Sequence, residues 1–368
     1  LKVLIVITRG DSIGGAQTHV LSLAKLFKKD GHDVLICYGG KIEGPFHNLI
    51  LEEGLKFVTI SNLKRQISII DDISSIFHLR SIIRQFNPDI ISLHSSKAGI
   101  IGRLSSVLLN IPVVFTVHGW AFTEGVSRSS SILYKFLERK LSVFADKIIV
   151  VSNFDKQIAV KYNITSSKKI EVVHNGIDIL DNTDIQSRPL NDTINFIMVA
   201  RFDKQKDHET LVMACKDLDN INVHFVGDGP NLKYIQELTI RLNVKEKFVF
   251  HGYKSGIQQM LQNSDVFLLI SNWEGFPIST LEAMNCSLPV VVSDAGGAKE
   301  AVIEGFTGYV VARKDILSLK NCLMKLIDDK YLRISMGERG RINLIENFSS
   351  TKMYDSTFRV FSMAINKK

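Results

Sequence analysis

The chain has 368 residues, 45 % of them hydrophobic and 23 % charged, and a formal net charge of +7. That length exceeds what one core supports, so two domains are expected; the composition excludes a disordered chain, and no apolar run reaches the roughly 18 residues of a membrane span. Four cysteines, Cys37, Cys215, Cys286 and Cys322, stand far apart in apolar segments without C-x-x-C spacing, which argues against a disulfide framework or thiolate metal site and suits a reducing cytoplasm.

From residue 2 onward short apolar strands alternate with stretches of helical periodicity, the pattern of parallel α/β structure. The first apolar stretch, 3–7, follows one lysine and runs into polar Thr8-Arg9-Gly10-Asp11, so it has neither the length nor the cleavage site of a secretory signal and reads as a buried strand. Gly14 and Gly15 then precede a helix expected over 17–29. Adjacent glycines there allow close backbone approach, and the helix N-terminus offers N–H groups to an anion, although a Gly-Gly pair alone is more often just a turn. Gly31 is placed to stop that helix. Further strands are expected at 33–38, 89–94, 113–118, 147–152 and 170–174, with helices over 72–84, 97–109 and 129–143. Pro88 prevents the second helix from continuing.

The polar stretch 178–192, which contains Pro189, breaks this rhythm and marks the domain boundary. The first domain is read as 1–188, joined by a closing helix within 350–368, and the second as 189–349. A second series of strands is expected at 193–200, 223–226, 248–250, 266–270 and 290–293, so both domains are Rossmann-like. The basic surplus belongs to the first: residues 1–188 hold 23 Lys and Arg against 17 Asp and Glu, and 189–368 hold 22 against 21. It suits an anionic partner, or simply a solvated surface.

In open α/β sheets ligands bind beyond the carboxyl ends of the strands. After the strand ending at 200, Arg201 and Lys206 can both face a diphosphate, the guanidinium as a bidentate donor and the ammonium as a point charge. Asp207 is placed to cap the next helix. After 266–270 comes Ser271-Asn272-Trp273-Glu274-Gly275-Phe276-Pro277-Ile278-Ser279, with Pro277 suited to a first helical turn. N–H groups near Phe276, Ile278 and Ser279 would meet an anion at the positive helix end. Glu274 precedes that helix and Glu282 lies inside it, tilted back toward the same end, so both carboxylates can reach one ligand. Each segment also has a bland reading: a solvated basic loop, and a surface glutamate for Glu282. Asp217-Leu218-Asp219 ends a helix rather than following a strand, so it supports no metal site.

Glu274/Glu282 in an E-x7-E arrangement, the Arg201/Lys206 pair, His174-Asn175-Gly176-Ile177-Asp178, Gly227-Asp228-Gly229-Pro230, Gly14-Gly15 and His118-Gly119 match in order and spacing across essentially the whole chain. In this the chain resembles the retaining family 4 glycosyltransferases of bacterial surface-polysaccharide type. The resemblance implies a GT-B fold, two Rossmann-like domains facing across a cleft with the C-terminal helix crossing back to the first. It implies that Glu274 holds donor-sugar hydroxyls, Glu282 the ribose, Arg201 and Lys206 the diphosphate, Gly15 the same group from the other domain, and Gly252-Tyr253 the nucleobase. His118 would sit near the transferred sugar, and Asn175-Gly176 in the cleft. From the residues alone, His118 is as readily a packed or capping histidine, and Asn175-Gly176 a turn with positive φ at Gly176.

The implied reaction moves a sugar from a nucleotide-diphosphate donor, a UDP-sugar and often an N-acetylhexosamine, to a glycan acceptor that is lipid-linked in many such systems. Retention would come from front-face attack, with cations and helix dipole stabilising the diphosphate, no cofactor and no metal. The alternatives are a nucleotide-sugar 2-epimerase of the same fold and a two-domain ligand-binding protein. A cytoplasmic enzyme at the inner face of the membrane is expected, its first domain basic through Lys64, Arg65, Arg80 and Arg84. Trp120 and Phe122 are placed in a loop that could meet a sugar ring or lipid, whereas Ile73, Ile76, Phe77 and Ile83 are read as an ordinary core face.

Overall fold

The computed structural model describes residues 1–40, 43–181 and 193–367. The chain divides into two compact units, Leu1–Gly176 with Ser350–Lys368, and Ile177–Ser349. The boundary read from the sequence between Arg188 and Pro189 lies outside the described residues.

Unit 1 carries seven parallel strands in the order β3-β2-β1-β4-β5-β6-β7. They are β1 (Lys2–Ile7), β2 (Asp33–Gly39), β3 (Lys56–Ile60), β4 (Ile90–His94), β5 (Val113–Val117), β6 (Lys147–Val150) and β7 (Ile170–Val172). Alternation along β1 feeds two cores: Leu4 and Val6 face one side with Ile91, Leu93 and Phe115, while Val3, Ile5 and Ile7 face the other with Ile36, Ile90 and Val114. Both faces are covered, which is why these strands read as continuous apolar runs. Helices α1 (Gly15–Lys29) and α2 (Pro45–Glu52) cover the second side. Helices α3 (Ile69–Phe86) and α4 (Ser96–Ser105) cover the first, followed by α5 (Arg128–Leu141) and α6 (Asn153–Lys161).

Unit 2 repeats the plan with six strands in the order β10-β9-β8-β11-β12-β13. These are β8 (Ile194–Val199), β9 (Ile221–Val226), β10 (Phe248–Phe250), β11 (Val266–Leu269), β12 (Val290–Ser293) and β13 (Gly308–Val311). Its helices are α7 (His208–Cys215), α8 (Leu232–Arg241), α9 (Gln258–Gln262), α10 (Ile278–Asn285), α11 (Ile316–Asp328) and α12 (Lys330–Asn347). The last helix, α13 (Ser350–Ile365), returns to unit 1, where Phe361 stacks on Phe27 at 5.4 Å and Val360 and Ala364 join the core. In both sheets the order reverses beside the first strand, between β1 and β4 and between β8 and β11. That is where an open α/β sheet offers its crevice.

Two expectations about unit 1 are corrected. Trp120 and Phe122 do not face a ligand: both are buried and stacked on each other at 5.2 Å, and Trp120 Nε1 donates to the Asp155 carbonyl at 2.9 Å. In α3 the buried line is Ser75, Leu79 and Ile83, repeating every fourth residue. Ile73 and Phe77 sit two positions before members of that line, about 200° round the helix, and are 50 % and 67 % exposed instead of forming the core. Ile83 is buried as read, and Ile76 is partly covered.

Candidate active site

In unit 2 the loops after β8 and β11, the strands flanking the reversal of sheet order, are stitched together. Asn272 N donates to the Gln205 carbonyl at 2.7 Å, Asp207 N to the Ile270 carbonyl at 2.9 Å, and Lys206 and Ser271 form an antiparallel bridge. Asp207 caps α7, accepting from Thr210 N at 3.1 Å.

This stitching brings Glu274 into a cluster of donors. Its carboxylate accepts from Ser271 Oγ at 2.6 Å and Gln205 Nε2 at 3.1 Å, and pairs with Lys206 Nζ. Only 6 % of the Glu274 side chain is exposed, and 14 % of Lys206. Arg201 is placed differently, 66 % exposed and no closer than 3.8 Å to Asp203. The two cations paired in the sequence thus occupy distinct settings: one is buried against a carboxylate, the other largely exposed to solvent. Gly296 packs against the Glu274 backbone. At φ +61° it approaches so closely that a Cβ would stand 2.1 Å from the Glu274 carbonyl oxygen.

Helix α10 begins after this loop, with Pro277 as the extended residue before it. Its first-turn N–H groups, including those of Ile278 and Ser279, have no intrahelical acceptor. Phe276, whose ring packs 5.2 Å from Phe348, anchors the entry. Glu282, one turn in, has no side-chain partner among the described residues, and burial pushes its carboxyl up to about 7. A desolvated carboxyl without internal donors is suited to receive hydroxyls from a ligand. Gly227 and Gly229 follow β9 at φ +147° and +154°, where a Cβ would lie 2.0 Å from the Ala200 carbonyl oxygen and 2.4 Å from that of Phe202. They let this turn brace the Arg201 loop, with Phe202 N donating to the Asp228 carbonyl at 3.0 Å and Gly227 N to that of Gly252 at 2.9 Å. Tyr253 stands beside Gly252, 61 % exposed.

Unit 1 gathers a separate set at the carboxyl ends of β1, β4 and β5. Gly14 is the extended residue before α1, with Gly15 its first helical residue. His118 follows β5, and its Nε2 lies 3.1 Å from His94 Nδ1 at the end of β4. His94 Nε2 in turn lies 2.9 Å from Ser92 Oγ. His19, from α1, sets its ring edge-on to His118 at 4.8 Å, and its Nδ1 meets Asn175 Oδ1 at 2.9 Å. Asn175 is therefore buried against a histidine, and Gly176 is not among the glycines with positive φ. Burial holds the His19 imidazole down at about 4, and those of His94 and His118 well below the ordinary histidine range, so all three are neutral at pH 7. Among the described residues this trio is the one group whose composition and spacing could hold a metal ion.

The sequence reading missed His19, His94, Gln205, Ser271 and Gly296. His94, Gln205 and Ser271 were within reach of the strand-end rule, since His94 ends the strand expected at 89–94 and the other two lie in the loops after the strands ending at 200 and 270. His19 and Gly296 are joined to the site only by packing.

Residues 13–179 match the family described as Glycosyltransferase Family 4, and residues 181–343 match Glycosyl transferases group 1. The UDP-Gal:alpha-D-GlcNAc-diphosphoundecaprenol alpha-1,3-galactosyltransferase of Escherichia coli is 32 % identical, over 96 % of this chain and 95 % of that protein. The O-antigen biosynthesis glycosyltransferase WbnH of Escherichia coli is 29 % identical, over 94 % and 96 %. In fold, the chain superposes on Anabaena HepE, solved with UDP and glucose, with a TM-score of 0.84 at 19 % identity, covering 98 % of this chain and 99 % of that one. Two family matches that tile the chain, and a relative aligned from end to end, agree with the paired parallel sheets: this chain belongs to the family 4 glycosyltransferases of GT-B fold.

Proposed function

We propose that the protein is a retaining, metal-independent glycosyltransferase that moves a sugar from a UDP-sugar to a glycan carried on a polyprenyl diphosphate, in surface-polysaccharide synthesis. The observation that carries the reading is the cluster after β8 and β11: Glu274 held by Ser271, Gln205 and Lys206, with exposed Arg201 alongside and, in α10, Glu282 without a side-chain partner among the described residues. In this reading Glu282 receives the ribose hydroxyls, Glu274 the donor-sugar hydroxyls, and Gly252 and Tyr253 the base. Arg201, Lys206 and the first turn of α10 take the diphosphate as its charge grows. In unit 1, Gly14 and Gly15 are assigned to phosphate oxygens and His118 to the transferred sugar. The lipid-linked acceptor is supported by the substrate in the name of the Escherichia coli galactosyltransferase.

Transfer from UDP-galactose, UDP-N-acetylglucosamine and UDP-glucose to GlcNAc-diphosphoundecaprenol, with the product anomer assigned by NMR, tests this reading. An α-linked product from one of these donors supports it. Inverted product refutes retention, and UDP-sugar turnover without acceptor favours the epimerase.

A second observation supports work at a membrane surface. No helix among the described residues is long and apolar enough to cross one. Helices α3 and α5, which both pack against α4, instead turn apolar residues outward: Ile69, Ile70, Ile73 and Phe77 on α3, and Ile132, Leu133 and Phe136 on α5. On α5 these stand among Arg128 and Lys140, while its one acid, Glu138, is buried against Arg103. Exposed apolar side chains set among cations suit the interface of an anionic bilayer.

A further inference from the structure

A buried hydrogen-bonded chain of neutral groups has a direction, and counting its protons fixes that direction. Here the chain runs Ser92 Oγ, His94 Nε2, His94 Nδ1, His118 Nε2, with links of 2.9 and 3.1 Å. Each neutral imidazole carries one N–H. If His118 donated to His94, then His94 would donate to Ser92, and the fully buried Ser92 hydroxyl proton would have no acceptor, since His94 is the one hydrogen-bond partner of Ser92 Oγ among the described residues. An orphaned buried donor is costly. In the other direction Ser92 Oγ–H donates to His94 Nε2 and His94 Nδ1–H donates to His118 Nε2, so every proton in the chain is used. His118 is then left with its proton on Nδ1, which has no hydrogen-bond partner among the described residues, and His118 is the one partly exposed residue of the three.

We propose that Ser92 and His94 are positioning residues that hold His118 as its Nδ1–H tautomer. His118 then presents a hydrogen-bond donor, not a base, to a ligand oxygen, either a sugar hydroxyl or a phosphate oxygen. The proposal rests on the reading above that places His118 near the transferred sugar. His19 completes the device from the side. The amide oxygen of Asn175 can only accept, so His19 donates through Nδ1 and cannot compete to donate to His94 or His118. The titratable groups acting on these rings are His19, on both, and His118, on His94.

The test has a spectroscopic arm and a kinetic arm. Histidine-ring 15N NMR of the full chain without ligand should show His118 protonated on Nδ1, shifting to a mixture of tautomers in Ser92→Ala and in His94→Leu. A wild-type His118 protonated on Nε2, or a tautomer unchanged in both variants, overturns the proposal. In the kinetic arm His94→Leu should lower turnover about tenfold with little change in donor KM. It should have no further effect in a His118→Ala background. An equal loss in that background means His94 acts through the fold and overturns the proposal. Should His94→Leu not fold, Ser92→Ala takes its place in both arms. If His118→Ala retains full turnover while NMR shows the Nδ1–H form, the placement of His118 at the sugar fails and the tautomer assignment stands.

Discussion

Lys206 and Glu274 form an ion pair almost shut off from water, with side chains 14 % and 6 % exposed, in the loops that flank the reversal of strand order in unit 2. Lys206 therefore has a structural duty besides the one proposed toward the leaving group. Breaking such a pair from one side leaves a buried charge without its partner, at a cost of about 3–5 kcal/mol. Lys206→Ala should lower both stability and turnover. Arg201→Ala should leave stability within about 0.5 kcal/mol of wild type, because that side chain is two-thirds exposed, while cutting turnover about a hundredfold. Chemical denaturation beside initial-rate kinetics checks the pair of variants. Equal stability losses would contradict the different settings of the two cations.

The Arg201/Lys206 spacing, the glutamates and the strand-end loops were all legible from the sequence, because local signals encode them: apolar runs mark the strands, and the loops follow. What could not be read was which groups meet. Glu274 and Lys206 are distant in sequence and touch because β8 and β11 are neighbours, and Gly296 matters only because its loop lies against Glu274. Strand β3 escaped notice because its five residues include Lys56 and Thr59 and sit at the sheet edge, where only part of the strand is covered. The α3 reading failed for a related reason. Its sequence is apolar on more than one face, and periodicity does not say which face the sheet will cover.

Glu282 gives a prediction with a sign. Its carboxyl is pushed up to about 7 from an ordinary 4.5, so the folded state favours the protonated form. Its contribution to stability is fully present below about 4.5 and is lost as pH rises to about 7. Above that, the buried charge costs on the order of 3 kcal/mol. Glu282→Gln should therefore match wild type in thermal midpoint near pH 4.5 and exceed it at pH 8, while binding UDP more weakly. A variant no more stable at pH 8 would show that the carboxylate is better solvated than its position indicates.

The two glutamates should separate kinetically. Glu274→Gln keeps the size of the side chain but removes the charge that Lys206 faces, and in the proposed roles it strips donor-sugar contacts while leaving the ribose site intact. Turnover should fall by about two orders of magnitude with UDP affinity changed less than about threefold. Glu282→Ala should do the reverse, weakening UDP roughly tenfold or more. Calorimetric titration with UDP beside steady-state rates distinguishes them, and equal loss of UDP affinity in both would refute the division of roles.

Transfer should persist in EDTA. The charge of the departing diphosphate is assigned to Arg201, Lys206 and the first turn of α10, and Asp217 and Asp219 lie in a turn after α7, away from the carboxyl ends of the strands. Loss of activity in chelator, restored by Mg²⁺ or Mn²⁺, would place that charge on a metal instead.

The outward apolar residues of α3 and α5 give the last prediction. Ile70 and Phe77 on α3 are 82 % and 67 % exposed, and Phe136 on α5 is 53 % exposed, apolar surface available for burial against a bilayer. Not every nearby cation is free to bind lipid. Lys64 pairs with Asp71 at 3.2 Å, Arg80 donates to the carbonyls of Ser105 and Val107, and Arg139 to those of Tyr162 and Asn163. Arg65, Arg84 and Arg128 have no such partner among the described residues, and Lys140 lies 5.7 Å over the Phe136 ring, so charge alone should give salt-sensitive attraction, and apolar insertion should supply most of the affinity. Burying one phenylalanine contributes about 1.5–3 kcal/mol, so Phe77→Ser or Phe136→Ser should each lower partition onto anionic vesicles roughly tenfold or more. Neither side chain is in a core, so thermal stability should hold, as should transfer to a short-chain, water-soluble acceptor. Vesicle flotation at low and physiological salt reads the first effect. Unchanged flotation in both variants, or binding abolished by salt alone, would move the membrane contact away from these helices.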